Sequence, residues 1–592
     1  MKLTTGLLSL IFAVKLSAAP PNVVIFLADD AGWGDFSHSG NTQVNTPNID
    51  SIARHGVSLD RFFVQPVCSP TRAEVLTGRY HLRGGVRGVS TGHERLDLDE
   101  KTFADAFKAA GYATGCFGKW HNGSQWPYHP MARGFDEFFG YTSGHWGEYF
   151  DAPLEENGRM VRTQGYIVDV CTDRALAFIG RNKDKPFLCY VPFTTPHSPW
   201  AAPEGDWERF KDKQLTQRAT APDEEEQDQT RCALAMMENQ DMNVGRILEK
   251  LRELGVEENT IVVYFSDNGP NTMRWTGGMK GRKGSTDDGG VRSVCYLSWP
   301  AKIPAGTTVP QIAGAIDLLP TLTALAGIQR TGDKPLDGRD LSPLLKQEEV
   351  DWPDRMIFTI WDGKVAVRTQ AHLLDSAGQL FDMIADPGQT KPINDSEPEI
   401  AAKLTAAVRS WQEEMLGGNT GPGGAVDPRP IPVGYREFPI TMLPARDGKP
   451  HGNVRRSDDA PNCSYFVNWT GKDDRMDWLV DVHTAGKYEA SIDYTCPMDD
   501  AGSTVELSFK DARLTGKVEP GWDPPLNTNQ DTLPRPNGES QMKEFRTLKL
   551  GEITLPAGKA PLTLRAIEIP GKSVMDVRRV TLTLLDGTSG GR

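Results

Sequence analysis

The sequence predicts an α/β fold, with a large mixed, mostly parallel sheet sandwiched by helices, followed by an all-β sandwich. Three apolar runs carry the first part of this prediction: NVVIFLADD, PFLCYVPFTTPH and NTIVVYFSDNG. Continuous apolar runs are typical of parallel strands that are buried on both faces. Helical patterns such as TPNIDSIARHG and DEKTFADAFKAAG lie between them. Strands that alternate with helices indicate an α/β sheet.

The last third of the chain has a different pattern. The segments DWLVDVHTAGKYEASIDYTCP, GSTVELSFKDARLTG and APLTLRAIEIPGKSVMDVRRVTLTLLD alternate polar and apolar residues. Turns rich in Gly, Pro and Asp join them, which predicts a β-sandwich. This region could bind a glycan, with Trp469, Trp478 and Trp522 as stacking candidates, or it could be a structural lid on the preceding domain.

Length, charge and cysteine content limit the function classes. A chain of 592 residues is long enough for two or three domains. Its formal net charge of −14 argues against a nucleic-acid binder, which normally carries a basic face. The eight cysteines are too scattered for a disulfide framework, although Cys463 and Cys496 could pair. After the N-terminus, no segment is long and apolar enough to predict a transmembrane span.

Residues 1–19 have the pattern of a secretory signal peptide. Lys2 precedes the apolar run GLLSLIFAV, and the small residues LSAA follow. The alternative is a buried N-terminal strand, in which Lys15 would need a partner. The pattern predicts a periplasmic or secreted protein.

Polar residues end each of the three predicted strands. They are Asp29 and Asp30, His197, and Asp267 with Asn268. Because α/β sheets bind ligands beyond the carboxyl ends of their strands, we expect these residues to lie close together. Three carboxylates and an amide suit a hard divalent cation, calcium or magnesium.

Two further features indicate an anionic substrate. The segments GKWHNG and GGMKGRKGSTDDGGVR are rich in hydrogen-bond donors, and VCSPTRAEVLTGRY places Cys68 at the start of a predicted helix. A helix start directs backbone N–H groups at an anion. Each segment alone could be a turn or a surface loop. Together, a metal and several cations are what the cleavage of a tetrahedral oxyanion ester requires.

The segment CSPTR, running on into AEVLTGRY, resembles the signature of the type I, formylglycine-dependent sulfatases of the alkaline phosphatase superfamily. The segments NVVIFLADDAGWGD, GYATGCFGKWHNG, TPHSPW, FSDNGP and RKGSTDDGGVR occur in the order of that family. The resemblance covers about residues 20–415 and is to the bacterial polysaccharide-sulfatase type with an appended β-sandwich. It implies an alkaline phosphatase-like fold and an enzyme that hydrolyses sulfate monoesters on a sulfated glycan.

The resemblance also explains the cysteine. In this family a formylglycine-generating or sulfatase-maturing enzyme reads Cys-x-Pro-x-Arg, here Cys68, Pro70 and Arg72, and oxidises the cysteine to formylglycine. One hydroxyl of the hydrated aldehyde attacks sulfur and displaces the alcohol, and loss of a proton from the other hydroxyl expels sulfate. His121 would take that proton, and His197 would protonate or hydrogen-bond the leaving oxygen.

The remaining roles follow from the same resemblance. Arg72 would hold a diol oxygen and a metal ligand, and Lys119 and Lys283 would bind sulfate oxygens. One calcium ion, or alternatively magnesium, would be held by Asp29, Asp30, Asp267, Asn268 and formylglycine 68. Four residues are expected to contact the sugar: His145 and Trp146 in SGHWGEYF, and Asp287 and Asp288, where this chain departs from many relatives.

The predicted domain boundaries combine both lines of reasoning. They are a signal peptide at 1–19, the catalytic domain at 20–350, a small α+β subdomain at 351–416, a linker at 417–430 and the β-sandwich at 431–592.

Two other functions stay open at this point. One is a phosphonate monoester or phosphodiester hydrolase of the same superfamily, and the other is a catalytically idle glycan-binding protein.

Overall fold

The structure is a computed structural model that describes residues 19–417 and 427–585. The predicted signal peptide lies outside the described residues except for Ala19, and most of the predicted linker also lies outside them. Of the residues described, none belongs to a helix that is long and apolar enough to cross a membrane.

The three predicted strands form the centre of the main sheet. Asn22–Asp29 lies between Thr260–Ser266 and Phe187–Pro196 and is parallel to both. Every residue of the three strands is buried, so the prediction of parallel strands covered on both faces is confirmed. Across the sheet the strand order is Thr307–Val309, Val57–Leu59, Cys295–Ser298, Thr260–Ser266, Asn22–Asp29, Phe187–Pro196, Ala113–Lys119, Glu137–Tyr141, Pro153–Glu156 and Arg159–Arg162.

Helices cover both faces of this sheet because side chains alternate along its strands. Val24, Phe26 and Ala28 belong to one hydrophobic core, and Val23 and Ile25 belong to the other. The first core contains residues of the helices Pro47–Arg54, Ile167–Asn182 and Gln227–Glu253. The second contains residues of the helices Cys68–Thr77, Phe103–Ala109 and Leu318–Ala326. The remaining short elements of this part are the helices Glu204–Glu208, Asp288–Val291 and Ser342–Leu345 and a small sheet of Arg292–Ser293, Phe62–Phe63 and Ala313–Gly314.

A small α+β unit follows, as predicted. Its antiparallel sheet has the order Ile357–Trp361, Lys364–Arg368, His372–Leu374 and Leu380–Asp382. The helix Pro398–Leu416 packs against this sheet, with Trp411 stacked on Phe358 at a ring separation of 5.1 Å.

The C-terminal region consists of two sheets that share one core. The first sheet has the order Ile431–Val433, Arg475–Val482, Gly558–Glu568, Thr504–Phe509 and Ala512–Lys517, with Lys449–His451 beside Arg475–Val482. The second has the order Arg455–Arg456, Phe466–Val467, Asp576–Leu584, Gly486–Thr495 and Arg546–Leu555, with Ile440–Pro444 beside Asp576–Leu584. Inward side chains of both sheets meet in this core, including Met476 and Tyr488. The predicted β-rich region is confirmed.

Two of the three tryptophans proposed to stack on a glycan lie inside this core. Trp469 and Trp478 are 1% and 0% exposed, so they stabilise the sandwich and are not available to a ligand. Trp522 is partly buried, with the guanidinium of Arg546 over its ring at 3.5 Å. The eight cysteines, all within the described residues, are free thiols, and Cys463 and Cys496 are not paired.

The sandwich packs on the catalytic domain through a long loop, residues 518–545, which we call the crossing loop. The amide of Thr532 donates to the carbonyl of Trp200 at 2.7 Å, and the guanidinium of Arg535 donates to the carbonyl of Gly147 at 2.5 Å. The crossing loop therefore lies beside the segment that carries His145 and Trp146.

Candidate active site

The predicted strand-end residues converge at the carboxyl edge of the sheet. Ala28 pairs with Ser266 in the parallel register, so the residues that follow the two strands are neighbours. The amide of Asp30 donates to Oδ1 of Asp267 at 3.2 Å, and Nδ2 of Asn268 donates to Oδ1 of Asp30 at 2.8 Å. Asp30 has a φ of 65°, a conformation uncommon outside glycine that turns the chain sharply at the strand end.

Cys68 lies at the start of the buried helix Cys68–Thr77, as the sequence predicts. Its sulfur and one carboxylate oxygen each of Asp29 and Asp267 lie within 4.8 Å of one another. Burial raises the pKa of the Cys68 thiol, although the charge of Lys119 opposes this. The free N–H groups of a helix N-terminus favour an anion here.

Arg72 ties the helix to the carboxylates. Its Nε and Nη2 donate to Oδ2 of Asp267 at 3.1 and 2.8 Å, and its Nη1 donates to the carbonyl of Lys119 at 2.9 Å. Such a two-pronged contact fixes the orientation of the carboxylate. Arg72 is fully buried, and the sequence-based expectation that it holds a ligand carboxylate agrees with this geometry.

Two lysines form ion pairs with the carboxylates at the strand ends. Nζ of Lys119 lies 2.7 Å from Oδ2 of Asp29, and Nζ of Lys283 lies 2.6 Å from Oδ1 of Asp30. Burial raises the pKa of Asp30, but the charges of Lys283, His197 and Lys119 outweigh it and hold the pKa well below its usual range. Lys119 is wholly buried, whereas the Lys283 side chain is 21% exposed, so Lys283 lies at the mouth of the site.

The donor set fits a hard divalent cation. Oδ1 of Asp29 and Oδ1 of Asn268 are buried and have no hydrogen-bond partner among the described residues. Burial and the charge of Asp29 raise the pKa of Asp267 to about 6, which shows how closely the carboxylates crowd. A cation among these oxygens would satisfy the unpaired atoms and relieve the repulsion. The residues that could hold it are Asp29, Asp30, Asp267, Asn268 and residue 68.

His121 presents one nitrogen without a partner. Its Nε2 lies 2.8 Å from the carbonyl of Val89 and must donate there, because a carbonyl only accepts. Nδ1 is therefore the unprotonated nitrogen, and it is buried with no hydrogen-bond partner in the described residues. Burial and the charge of Lys119 lower the pKa of His121 well below its usual value. A neutral imidazole with a free nitrogen is suited to accept a proton.

His197 and His145 form a pair of histidine rings in the site. Nε2 of His197 lies 3.6 Å from Oδ2 of Asp30, and Nδ1 of His197 lies 3.3 Å from Nδ1 of His145. Burial lowers the pKa of His197 to about 4, opposed by Asp30, and lowers that of His145 well below its usual value. Burial therefore favours the neutral form of both rings. The structure places His145 next to a candidate catalytic histidine, closer to the centre than a sugar contact alone would require.

Two site residues come from the sandwich and were not found from the sequence. Nδ2 of Asn462 donates to the carbonyl of Val89 at 3.3 Å, beside His121. Glu539, in the crossing loop, accepts from Oγ of Ser198 at 2.5 Å and approaches Nε2 of His145 at 3.4 Å. Neither belongs to a recognisable motif, so only the folded chain brings them to the centre.

Gly144 allows the ring of His121 and the side chain of Asn462 to lie close to the backbone of its loop. A Cβ at position 144 would lie 2.2 Å from Nε2 of His121 and 2.8 Å from Nδ2 of Asn462. Any other residue would displace the ring of His121 and the side chain of Asn462.

The other residues expected to contact sugar differ in their surroundings. Trp146 stacks on Tyr141 at 5.2 Å and lies under the guanidinium of Arg578 at 5.5 Å, in the cleft between the catalytic domain and the sandwich. Asp288 is buried, and Arg368 donates to its carboxylate at 2.9 Å. The carboxylate of Asp288 is therefore engaged within the fold, and the geometry does not support a sugar contact.

Asp287 is also held by its neighbours. Its carboxylate accepts from Oγ of Ser285 at 2.7 Å and from Nε2 of Gln389 at 2.8 Å. Its side chain is 17% exposed, so Asp287 keeps partial access to solvent where Asp288 has almost none.

The cluster of carboxylates and cations lies where an α/β sheet binds its ligands, and its composition suits the hydrolysis of an oxyanion ester. The family model described as Sulfatase matches residues 21–328, more than half of the chain. The chain therefore belongs to the sulfatase family, as a type I sulfatase of the alkaline phosphatase superfamily and a sulfuric ester hydrolase.

Particular relatives agree with this assignment. The chain is 32% identical over 388 residues to N-acetylgalactosamine-6-sulfatase of Mus musculus, covering 59% of this chain and 71% of that protein. It is 32% identical over 425 residues to arylsulfatase A of Homo sapiens, covering 62% and 78%. The crystal structure of Ps i-CgsB in complex with k-i-k-neocarrahexaose has a TM-score of 0.61 at 28% identity, covering 69% of this chain and 95% of that one. The prediction of an alkaline phosphatase-like fold is confirmed.

Proposed function

We propose that this chain is an exported sulfatase that hydrolyses sulfate monoesters on a sulfated glycan, with Cys68 converted to formylglycine and one calcium ion, or alternatively magnesium, in the site. One observation carries the proposal: the Cys68 sulfur lies within 4.8 Å of carboxylate oxygens of Asp29 and Asp267. Lysine ammonium groups border the same cluster.

When present, the divalent cation would supply Lewis-acid stabilisation of the sulfate, and the hydrated aldehyde would supply a nucleophilic hydroxyl. Arg72 keeps the carboxylate of Asp267 fixed beside residue 68. Lys119 and Lys283 stabilise the negative charge that develops on the sulfate oxygens, and donors already in place at the site make this stabilisation large.

The two histidines have different roles in proton transfer in this proposal. Nδ1 of His121 is the unprotonated nitrogen and can take a proton from a hydroxyl on residue 68. Nε2 of His197 is directed at Asp30 and the centre, where it can donate to the leaving oxygen once it is protonated. Acid–base help of this kind typically contributes about a hundred- to ten-thousandfold to the rate.

The charge of the site favours sulfate over phosphate. A sulfate monoester carries a single negative charge, whereas a phosphate monoester carries close to two at neutral pH. One divalent cation with Arg72, Lys119 and Lys283 suits the smaller charge. By the resemblance, a phosphatase of this superfamily would be expected to hold a second metal where these lysines reach.

The relatives support a glycan as the substrate. Their names include a sulfatase of N-acetylgalactosamine 6-sulfate, and the structural neighbour was solved with a bound neocarrahexaose. The cleft that holds Trp146 is also lined by Asn462, which lies beside His121, and it offers aromatic and arginine side chains of the kind that contact sugars. A maturing enzyme that reads Cys68, Pro70 and Arg72, and export by the leader at residues 1–19, complete the proposal.

The test is a matched set of aryl sulfate, aryl phosphate and aryl phosphonate monoester, followed by a panel of sulfated oligosaccharides, with protein made together with a sulfatase-maturing enzyme. We expect sulfate turnover far above phosphate turnover, and release of sulfate from at least one oligosaccharide. A preference for phosphate or phosphonate esters would move the chain to the phosphonate hydrolase alternative. Binding of glycans without any turnover would support the idle alternative.

A further inference from the structure

Glu539 reaches the catalytic domain from the sandwich. One carboxylate oxygen accepts from Oγ of Ser198 at 2.5 Å, and the other lies 3.4 Å from Nε2 of His145. Neither Nε2 of His145 nor Oε2 of Glu539 makes a hydrogen bond within the described parts of the chain, and the two atoms lie 3.4 Å apart without a completed hydrogen bond between them. Each atom is therefore available to the other.

The crossing loop is anchored where it delivers this side chain. On one side of Glu539, Arg535 pairs with Asp531 at 2.7 Å and donates to the carbonyl of Gly147. On the other side, Oγ of Ser540 and Oγ of Ser457 lie 2.6 Å apart. The Glu539 side chain is only 13% exposed, and a buried carboxyl group is costly unless polar partners satisfy it. Its partners here belong to the catalytic domain.

The hydrogen-bonding rules fix the tautomers of the two histidines. Nδ1 of His197 lies 2.6 Å from the carbonyl of Ser198 and must donate to it. Nδ1 of His145 faces this protonated nitrogen at 3.3 Å, so it can only accept. The proton of a neutral His145 therefore lies on Nε2, the nitrogen that faces Glu539.

We propose that Glu539 is a positioning residue of the active site, so that the C-terminal sandwich completes the catalytic centre. Glu539 accepts the Nε2 proton of His145 and holds that ring in one tautomer and orientation. His145 in turn braces His197, whose Nε2 stays directed at the centre. This inference rests on the proposed role of His197 at the leaving oxygen.

The consequence is a dependence on the leaving group. A sugar alkoxide departs poorly without help from His197, whereas an activated phenolate departs without it. Loss of the Glu539 contact should therefore lower turnover of a sulfated sugar more than turnover of an activated aryl sulfate. For Glu539→Ala we expect a fall in kcat of about tenfold or more on the sugar, less than the roughly hundred- to ten-thousandfold of acid–base help because His197 itself remains, and a change of a few-fold at most on the aryl ester.

The conservative variant and a matched control sharpen the test. Glu539→Gln retains an oxygen that can accept from His145, and we expect it to keep most of the turnover on the sugar. Glu544→Ala removes a carboxylate from the same loop that pairs with Arg162 on the surface and is 44% exposed. It should behave like the wild type on both substrates. Equal losses on sugar and aryl sulfate in Glu539→Ala would overturn the proposal, because they would indicate general structural support.

A second measurement does not depend on turnover. Long-range ¹H–¹⁵N spectra of histidine-labelled protein report which ring nitrogen carries the proton. We expect His145 to be protonated on Nε2 in the wild type and in Glu539→Gln, and to lose this single state in Glu539→Ala. Protonation of His145 on Nδ1 in the wild type would overturn the proposal. Failure of the proposed function would appear separately, as a wild type with this tautomer and no sulfate release.

Discussion

The residues at the strand ends and the residues of the crossing loop both lie at the active site, but different features of the fold position them. Asp29, Asp267 and Lys119 come directly from the ends of buried strands in one sheet, so the sheet register sets their spacing. Glu539 contacts a serine 341 residues away along the chain, and its position depends on how two domains pack. The strand-end residues can therefore be predicted from local sequence, whereas the position of Glu539 can be seen only in the folded chain.

The two regions also differ in what their loss would do. The strand-end charges are buried and paired with each other, so removing one leaves another uncompensated. The sandwich residues instead contact the segments that carry His121 and His145. Changes in the cluster should therefore abolish the chemistry, whereas changes from the sandwich should alter its efficiency and selectivity.

The largest effect is expected at Cys68. Cys68→Ala and Cys68→Ser should lose nearly all sulfate turnover, because neither can provide the hydrated aldehyde. Both variants should fold, since the site tolerates small side chains at this helix start. Turnover of an aryl sulfate together with a thermal melt measures both properties. Appreciable turnover by Cys68→Ala would place the nucleophile elsewhere.

Removal of the metal comes next. Chelation should abolish turnover and lower the melting temperature, because a ligand bound only by the folded state stabilises it. Calcium should restore both, and magnesium is the alternative. Recovery with zinc alone, without any response to calcium or magnesium, would argue against a site of oxygen ligands.

The lysines test whether the cluster acts on the sulfate itself. Lys119→Ala and Lys283→Ala should each lower kcat/KM by about a hundred- to a thousandfold, as loss of a donor to a developing oxyanion does. The loss should be similar on every sulfated substrate. Lys280→Ala, which removes a lysine 48% exposed near Asp287, is the control and should change little. A loss of activity confined to one oligosaccharide would mean that these lysines contact the sugar and not the sulfate.

The smallest effects on the chemistry should come from the cleft. Trp146→Ala should change the ranking of sulfated oligosaccharides while leaving an aryl sulfate within a few-fold of the wild type.

Asp288→Ala should instead lower the free energy of unfolding, by about 3–5 kcal/mol, because it leaves Arg368 buried without its partner. Kinetics on an oligosaccharide panel and denaturant melts separate the two. A substrate-selective, fully stable Asp288→Ala would restore its expected role in sugar recognition.

Much of the catalytic core was accessible from sequence. Buried apolar runs predicted the central strands, and the residue types at their ends predicted the cluster of Asp29, Asp30, Asp267 and Asn268. The resemblance to sulfatases added roles for Cys68 and the lysines. The position of His145 was predicted only as a sugar contact, because nothing local shows that its loop folds back onto His197. Trp469 and Trp478 were candidates for stacking on a glycan but lie in the core. The sequence could not separate the two roles, since an aromatic residue in a strand pattern fits a core as well as a glycan surface.

Mass spectrometry of the peptide that contains Cys68 tests the central claim most directly. The sample is protein made together with a sulfatase-maturing enzyme, with the rate of aryl sulfate hydrolysis measured on the same preparation. We expect the peptide to carry an aldehyde at position 68 and the rate to scale with the aldehyde fraction across preparations. A fully active preparation in which position 68 is only an unmodified thiol would contradict the account.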